Sequence, residues 1–129
     1  MSVDVASAEE IQRFFEEVLK VNGRIDVLIN NAGIVLVKPF LETGPEDWQR
    51  VLDTDLGSIY HCCQAVLPGM LERNSGRIIA FGSIAGHALV PNMGAYCATK
   101  FGVVGFSECL RAELRDYDIG VSAICPGMV

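Results

Sequence analysis

Apolar residues recur along the chain with two periods, and the switches between them outline alternating helices and strands. Over Ala6–Lys20, Ile11, Phe14, Phe15, Val18 and Leu19 share one helical face. Ser7 stands as N-cap with Glu10 three residues on, a capping box, and Asn22-Gly23 closes the helix. Ile25–Ile29 is a short run of mostly β-branched and apolar residues, which predicts a strand buried on both faces. Val3-Asp4-Val5 reads as the remnant of a further strand. A second helix is predicted from Pro45, capped by Thr43 or Gly44, with Glu46 and Asp47 in its first turn. It runs to Leu71 with a bend at Pro68. Arg77–Phe81 is a strand after the Asn74-Ser75-Gly76 turn, Gly94–Tyr117 a third helix, and Gly120–Cys125 a last strand stopped by Pro126-Gly127. Strands alternating with helices of this length predict crossovers and a parallel sheet, hence an α/β fold.

Composition sharpens this picture. The chain has 129 residues, 50% of them hydrophobic, and a formal net charge of −6. Its 16 acids against 10 bases argue against a phosphate-reading nucleic-acid binder. No apolar run approaches the length of a membrane span, and no secretory signal pattern opens the chain. With Gly counted in place of Tyr, about 58% of residues are apolar, above the usual 45–50%. A small domain should not exceed the average, so the excess predicts either surface hidden against a partner or the inner part of something larger. Five cysteines, none in a Cys-x-x-Cys pair, read as free thiols in a reducing cytosol rather than as disulfides or a zinc site.

In open α/β sheets, ligands lie beyond the carboxyl ends of the strands. Asn30-Asn31-Ala32-Gly33 follows the first strand, Gly82-Ser83 the second, and Tyr96-Cys97-Ala98-Thr99-Lys100 opens the third helix. Tyr96 and Lys100 are four apart and share a helix face. A phenol beside an ammonium is a plausible acid/base pair for an alcohol or carbonyl, because the cation stabilises the phenolate. His61 and His87 have no partner at metal-ligand spacing, so no metal is expected.

These residues, with Pro126-Gly127, resemble the short-chain dehydrogenase/reductase family over nearly the whole chain. The resemblance implies a Rossmann-like, doubly wound parallel sheet and hydride transfer between NAD or NADP and a small alcohol or carbonyl substrate. It implies Tyr96 as acid/base, Ser83 on the substrate oxygen, and Lys100 on the nicotinamide ribose, lowering the Tyr96 pKa. It further implies a cofactor lined by Asp4 and Val5 on the adenine side, by Asn30, Ala32 and Gly33, and by Pro126 and Gly127. A cytoplasmic homodimer or homotetramer, assembled through the second and third helices, would go with it. A stripe of small residues, Gly94, Ala98, Gly102, Gly105 and Cys109, suits such an interface.

Two positions depart from the family pattern. Asp55, which the resemblance places in the catalytic set with Ser83, Tyr96 and Lys100, stands where the family has Asn in mid-helix, and its place on the stripe of Trp48, Val51, Leu52, Ile59, Cys63 and Val66 predicts a buried carboxyl. The glycine-rich pyrophosphate cradle is absent, as is the family's last strand, so the match is to an incomplete, central part of the fold. Two expectations follow: a partial sequence of an oxidoreductase, or a non-catalytic truncated relative that acts by binding a partner subunit.

Overall fold

The computed structural model describes residues 1–127. Three parallel strands form one sheet in the order β1-β2-β3: β1 Val27–Asn30, β2 Gly76–Phe81 and β3 Ile119–Ile124. Val27 pairs with Arg77 and Asn30 with Ala80, while Gly76 pairs with Ile119 and Phe81 with Ile124. The four helices are α1 Ala8–Asn22, α2 Pro45–Leu52, α3 Ser58–Arg73 and α4 Gly94–Glu113.

Strand order and crossover handedness decide which face is covered. A chain that steps across neighbouring parallel strands in one direction, with right-handed crossovers, puts every connecting helix on the same face. α3 and α4 accordingly close over Leu28, Ile78, Ala80, Ile119 and Val121, and α1 adds Ile11 and Phe15 beside Cys62, Val66 and Met70. Burying a side chain such as Ile78 contributes roughly 1.5–3 kcal/mol. The opposite face carries Val27, 50% exposed, Ile29, 56% exposed, and Ile124, 43% exposed. The expectation that the first strand is buried on both sides is therefore corrected: β1 alternates exposed and buried. The total accessible surface is 8010 Å², against about 6,700 Å² expected for a globular chain of this mass. Part of the apolar excess lies on this open face.

Helix ends follow local chemistry. Ser7 Oγ accepts from the Glu10 amide at 3.3 Å, as expected of an N-cap. The Glu10 carboxylate, however, accepts from the Asp4 amide at 2.9 Å instead of closing the box on Ser7. Asp4 Oδ1 accepts from the Ala6 amide at 3.0 Å, so the Val3–Val5 segment is a turn leading into α1 and not a strand. Gly23, at φ 80°, ends α1 by donating its amide to the Leu19 carbonyl at 2.8 Å; that left-handed geometry suits glycine.

The helix expected over Pro45–Leu71 is divided by a π-helical turn at Asp53–Gly57, and α3 continues through Pro68 to Arg73. Thr54 and Gly57 are weak helix formers, and a π turn adds a residue that reorients the side chains around it. The turn is held by Ser58 Oγ donating to the Thr54 carbonyl at 2.6 Å. It also seats Leu56 on α4, where a Cβ on Gly102 would stand 2.9 Å from Leu56 Cδ2. α4 ends at Glu113, four residues before the expected Tyr117, because the chain turns to bury Leu114.

Candidate active site

The carboxyl ends of β1 and β2 and the first turns of α4 meet at one end of the sheet. Ser83 follows β2 and caps the 3-10 turn Ile84–Gly86, accepting from the Ala85 amide at 3.2 Å through Oγ. That turn is locked to α4: a Cβ on Gly86 would stand 2.8 Å from the Lys100 carbonyl oxygen, so only glycine permits the approach. The Ile84 amide donates to the Pro126 carbonyl at 2.9 Å, joining the Ser83 segment to the residues after β3.

On α4, Tyr96 is half-buried and Lys100 buried. Lys100 Nζ lies 5.4 Å from the Tyr96 ring centroid and donates to the Phe81 carbonyl at 3.1 Å. Phe81 is the last residue of β2, two before Ser83, so one ammonium bridges the tyrosine helix and the serine strand. An ammonium has three donors, which leaves capacity beyond the Phe81 bond. Thr99 Oγ1 donates to the Tyr96 carbonyl at 2.7 Å, a bond within the first turns of α4.

Asp55 enters from the π turn. It is 0% exposed, as the apolar stripe predicts, and Oδ1 accepts from the Ile34 amide at 2.8 Å. Oδ2 is buried with no partner. Burial pushes the carboxyl above its ordinary value, opposed by the Ile34 hydrogen bond and by the charge of Lys100. A Cβ on Gly33 would lie 3.6 Å from both Asp55 Oδ1 and Lys100 Nζ, so the two groups flank that glycine.

The remaining residues of the expected site are less closely grouped. Asn30 is buried at the end of β1, with Nδ2 3.9 Å from Cys63 Sγ. Asn31, Ala32 and Gly33 are exposed. Pro126 and Gly127 are exposed after β3, and Met128 and Val129 lie outside the described residues. Asp4 is exposed with one carboxylate oxygen engaged by Ala6, and Val5 packs against the core. A cleft of about 400 Å³ runs along the open edge of β1, from Val3 and Val5 to Asn30, Asn31 and Ala32. Gly86 and the Ile34 amide are not singled out by the sequence pattern, and Gly102 is marked only as one of a stripe of small residues. The run Gly82-Ser83-Ile84-Ala85-Gly86 was the available signal for the first; nothing in the sequence marks a backbone amide.

Among the described residues, no group of three or more His, Cys, Asp or Glu side chains could hold a metal ion, and no helix is long and apolar enough to cross a membrane. All five cysteines are free.

A three-stranded parallel sheet with Ser83, Tyr96 and Lys100 towards its carboxyl end is a Rossmann-type scaffold. The chain belongs to the short chain dehydrogenase family, which it matches over residues 1–129. It is 39% identical over 129 residues to a 3-oxoacyl-[acyl-carrier-protein] reductase of Synechocystis, covering all of this chain and 52% of that protein. It is 38% identical over 128 residues to the probable oxidoreductase EphD of Mycobacterium tuberculosis, covering 98% of this chain and 22% of that one. A metagenomic short-chain oxidoreductase solved in complex with NADP superposes with a TM-score of 0.95 at 33% identity, covering 100% of this chain and 58% of the other. A short-chain dehydrogenase from Streptomyces avermitilis gives 0.96 at 34% identity, covering 99% and 47%. The chain thus spans about half the length, or less, of the curated relatives it matches.

Proposed function

We propose that this chain supplies the substrate and nicotinamide side of an NAD(P)-dependent oxidoreductase acting on a small alcohol or carbonyl compound. The observation that carries the reading is the Lys100 ammonium, set beside the Tyr96 ring and tethered to the end of the strand that leads to Ser83. The hydride chemistry would come from a bound nicotinamide, NAD or NADP. Small, exposed Asn31, Ala32 and Gly33 leave room for a cofactor to approach the backbone after β1, and Pro126 and Gly127 would flank it after β3. Asp4 and Val5 are proposed on its adenine side.

Tyr96 moves the proton at its hydroxyl, giving it to a carbonyl oxygen in reduction and taking it from an alcohol in oxidation. The Ser83 oxygen already accepts from Ala85, so its hydrogen is free to donate to the substrate oxygen and orient it. Lys100 holds its Nζ 5.4 Å from the Tyr96 ring centroid, where it orients the ring on the first turns of α4. Exposed Ile84, Leu89 and Val90 give the substrate side an apolar wall. Several relatives are named 3-oxoacyl-[acyl-carrier-protein] reductases, and reduction of a 3-oxo carbonyl belongs to this reaction class.

Tyr96→Phe in the active protein should abolish turnover while NADPH binding, read by nucleotide fluorescence, persists. Retained turnover rejects the assigned acid/base. A second reading, a chain that acts by binding a partner subunit, is favoured by the solvent-open small residues Gly94, Ala98, Gly105 and Cys109 on α4. A homodimer or homotetramer through α3 and α4 would use the same face. Micromolar binding of NADPH by the 129-residue chain favours the first reading. Its absence, together with a concentration-dependent mass in sedimentation, favours the second.

A further inference from the structure

Asp55 combines three features rarely found together. Its carboxyl is wholly buried, one oxygen is committed to the Ile34 amide, and the other has no partner. A buried polar atom without a partner is costly, so the surroundings favour whichever state of the group gives it one. Lys100 is the charged side chain whose field acts on Asp55, from across Gly33. On α2 and the π turn, Glu46 and Arg50 are solvent-exposed and the remaining charges are engaged elsewhere. Asp53 of the same π turn accepts from Gln49 at 2.8 Å, Asp47 on α2 pairs with Lys38, and residues 30–37 carry no charged side chain. Tyr96 stands beyond Lys100 on α4.

We propose that Asp55 is a proton-controlled positioning residue: as the neutral acid it holds the turn after β1 through Ile34 alone, and as the carboxylate it draws the Lys100 ammonium across Gly33. The assignment of that turn and of Lys100 to the cofactor rests on the function proposed above. On ionisation the proton leaves to solvent, and Oδ2 gains a cationic partner. Lys100 Nζ then moves away from the Phe81 carbonyl, its link to the end of β2, and from the Tyr96 ring. Burial, which raises the carboxyl, keeps the neutral state populated to higher pH than in a free aspartate. An amide at this position would still accept from Ile34 but could not change its charge.

The test is a carbon-13 and nitrogen-15 NMR titration of the 129-residue chain, following the Asp55 carboxyl, the Ile34 amide and the Lys100 Cε together. The expected result is one shared midpoint above that of a free aspartate. In Asp55→Asn the Lys100 response at that midpoint is lost. In Lys100→Met the Asp55 midpoint moves further up. An Asp55 signal that titrates like a free aspartate overturns the proposal, as does a Lys100 signal that ignores the Asp55 midpoint. Should either variant fail to fold, the shared midpoint in the unaltered chain decides alone. These signals are read without cofactor or turnover, so an error in the proposed function leaves them unchanged; that function stands or falls on NADPH binding and Tyr96→Phe.

Discussion

Gly86 presses so closely on the backbone of Lys100 that a side chain on it would meet the lysine carbonyl at 2.8 Å. One residue without a Cβ thereby holds the serine turn against the tyrosine helix. Gly86→Ala should force the two apart at a cost of about 1–3 kcal/mol, as overpacking does. Urea denaturation followed by circular dichroism reads the shift in midpoint, and an unchanged midpoint would show that the contact is looser than described.

The two sheet faces should respond unequally to the same truncation. Ile78 is 2% exposed and Ile29 56% exposed. Ile78→Ala is expected to cost about 2–5 kcal/mol, whereas Ile29→Ala should stay within about 0.5 kcal/mol. Matching losses would mean that the face carrying Ile29 is covered in solution.

Asp55 gives stability a definite dependence on pH. Its carboxyl is raised in the folded state, so the fold binds that proton more tightly than the unfolded chain does. The contribution is fully present below the ordinary value of 3.8 and is lost as pH rises through the raised value. The stability of Asp55→Asn relative to the unaltered chain should therefore grow as pH rises through that window and level off above it. Thermal denaturation at a series of pH values checks this, and a constant difference would contradict it.

Thiol reactivity should separate the cysteines. Burial pushes Cys62 up to about 11 and Cys63 up to about 12, and the thiolate is the reactive form. Cys109 is exposed. At neutral pH an aromatic disulfide reagent should label Cys109 rapidly and reach Cys62 and Cys63 only as the chain unfolds. Cys109→Ser should remove the fast phase and leave the slower reaction of half-exposed Cys125; a fast phase that survives undiminished would show that Cys109 is not its source.

Periodicity and capping residues alone predict the alternation of three helices with three strands, because Ser7, Gly23 and the apolar stripe of α1 act within a few residues of one another. The same local reasoning placed Tyr96 and Lys100 on one helix face, and Asp55 on a buried stripe. It failed where distant segments decide. Val3–Val5 has strand-forming valines, yet Asp4 is drawn into a turn by Glu10 and Ala6. The long second helix reads as continuous, but its π turn depends on Leu56 meeting Gly102 and Asp55 reaching Ile34. β1 looks buried on both faces because Val27, Leu28 and Ile29 are consecutive apolar residues; strand order and crossover handedness leave one face open. Side-chain type and spacing follow from the chain itself. Which carboxylate meets which amide, and which glycine carries another backbone, are set only when the sheet brings residues far apart in sequence within a few ångströms.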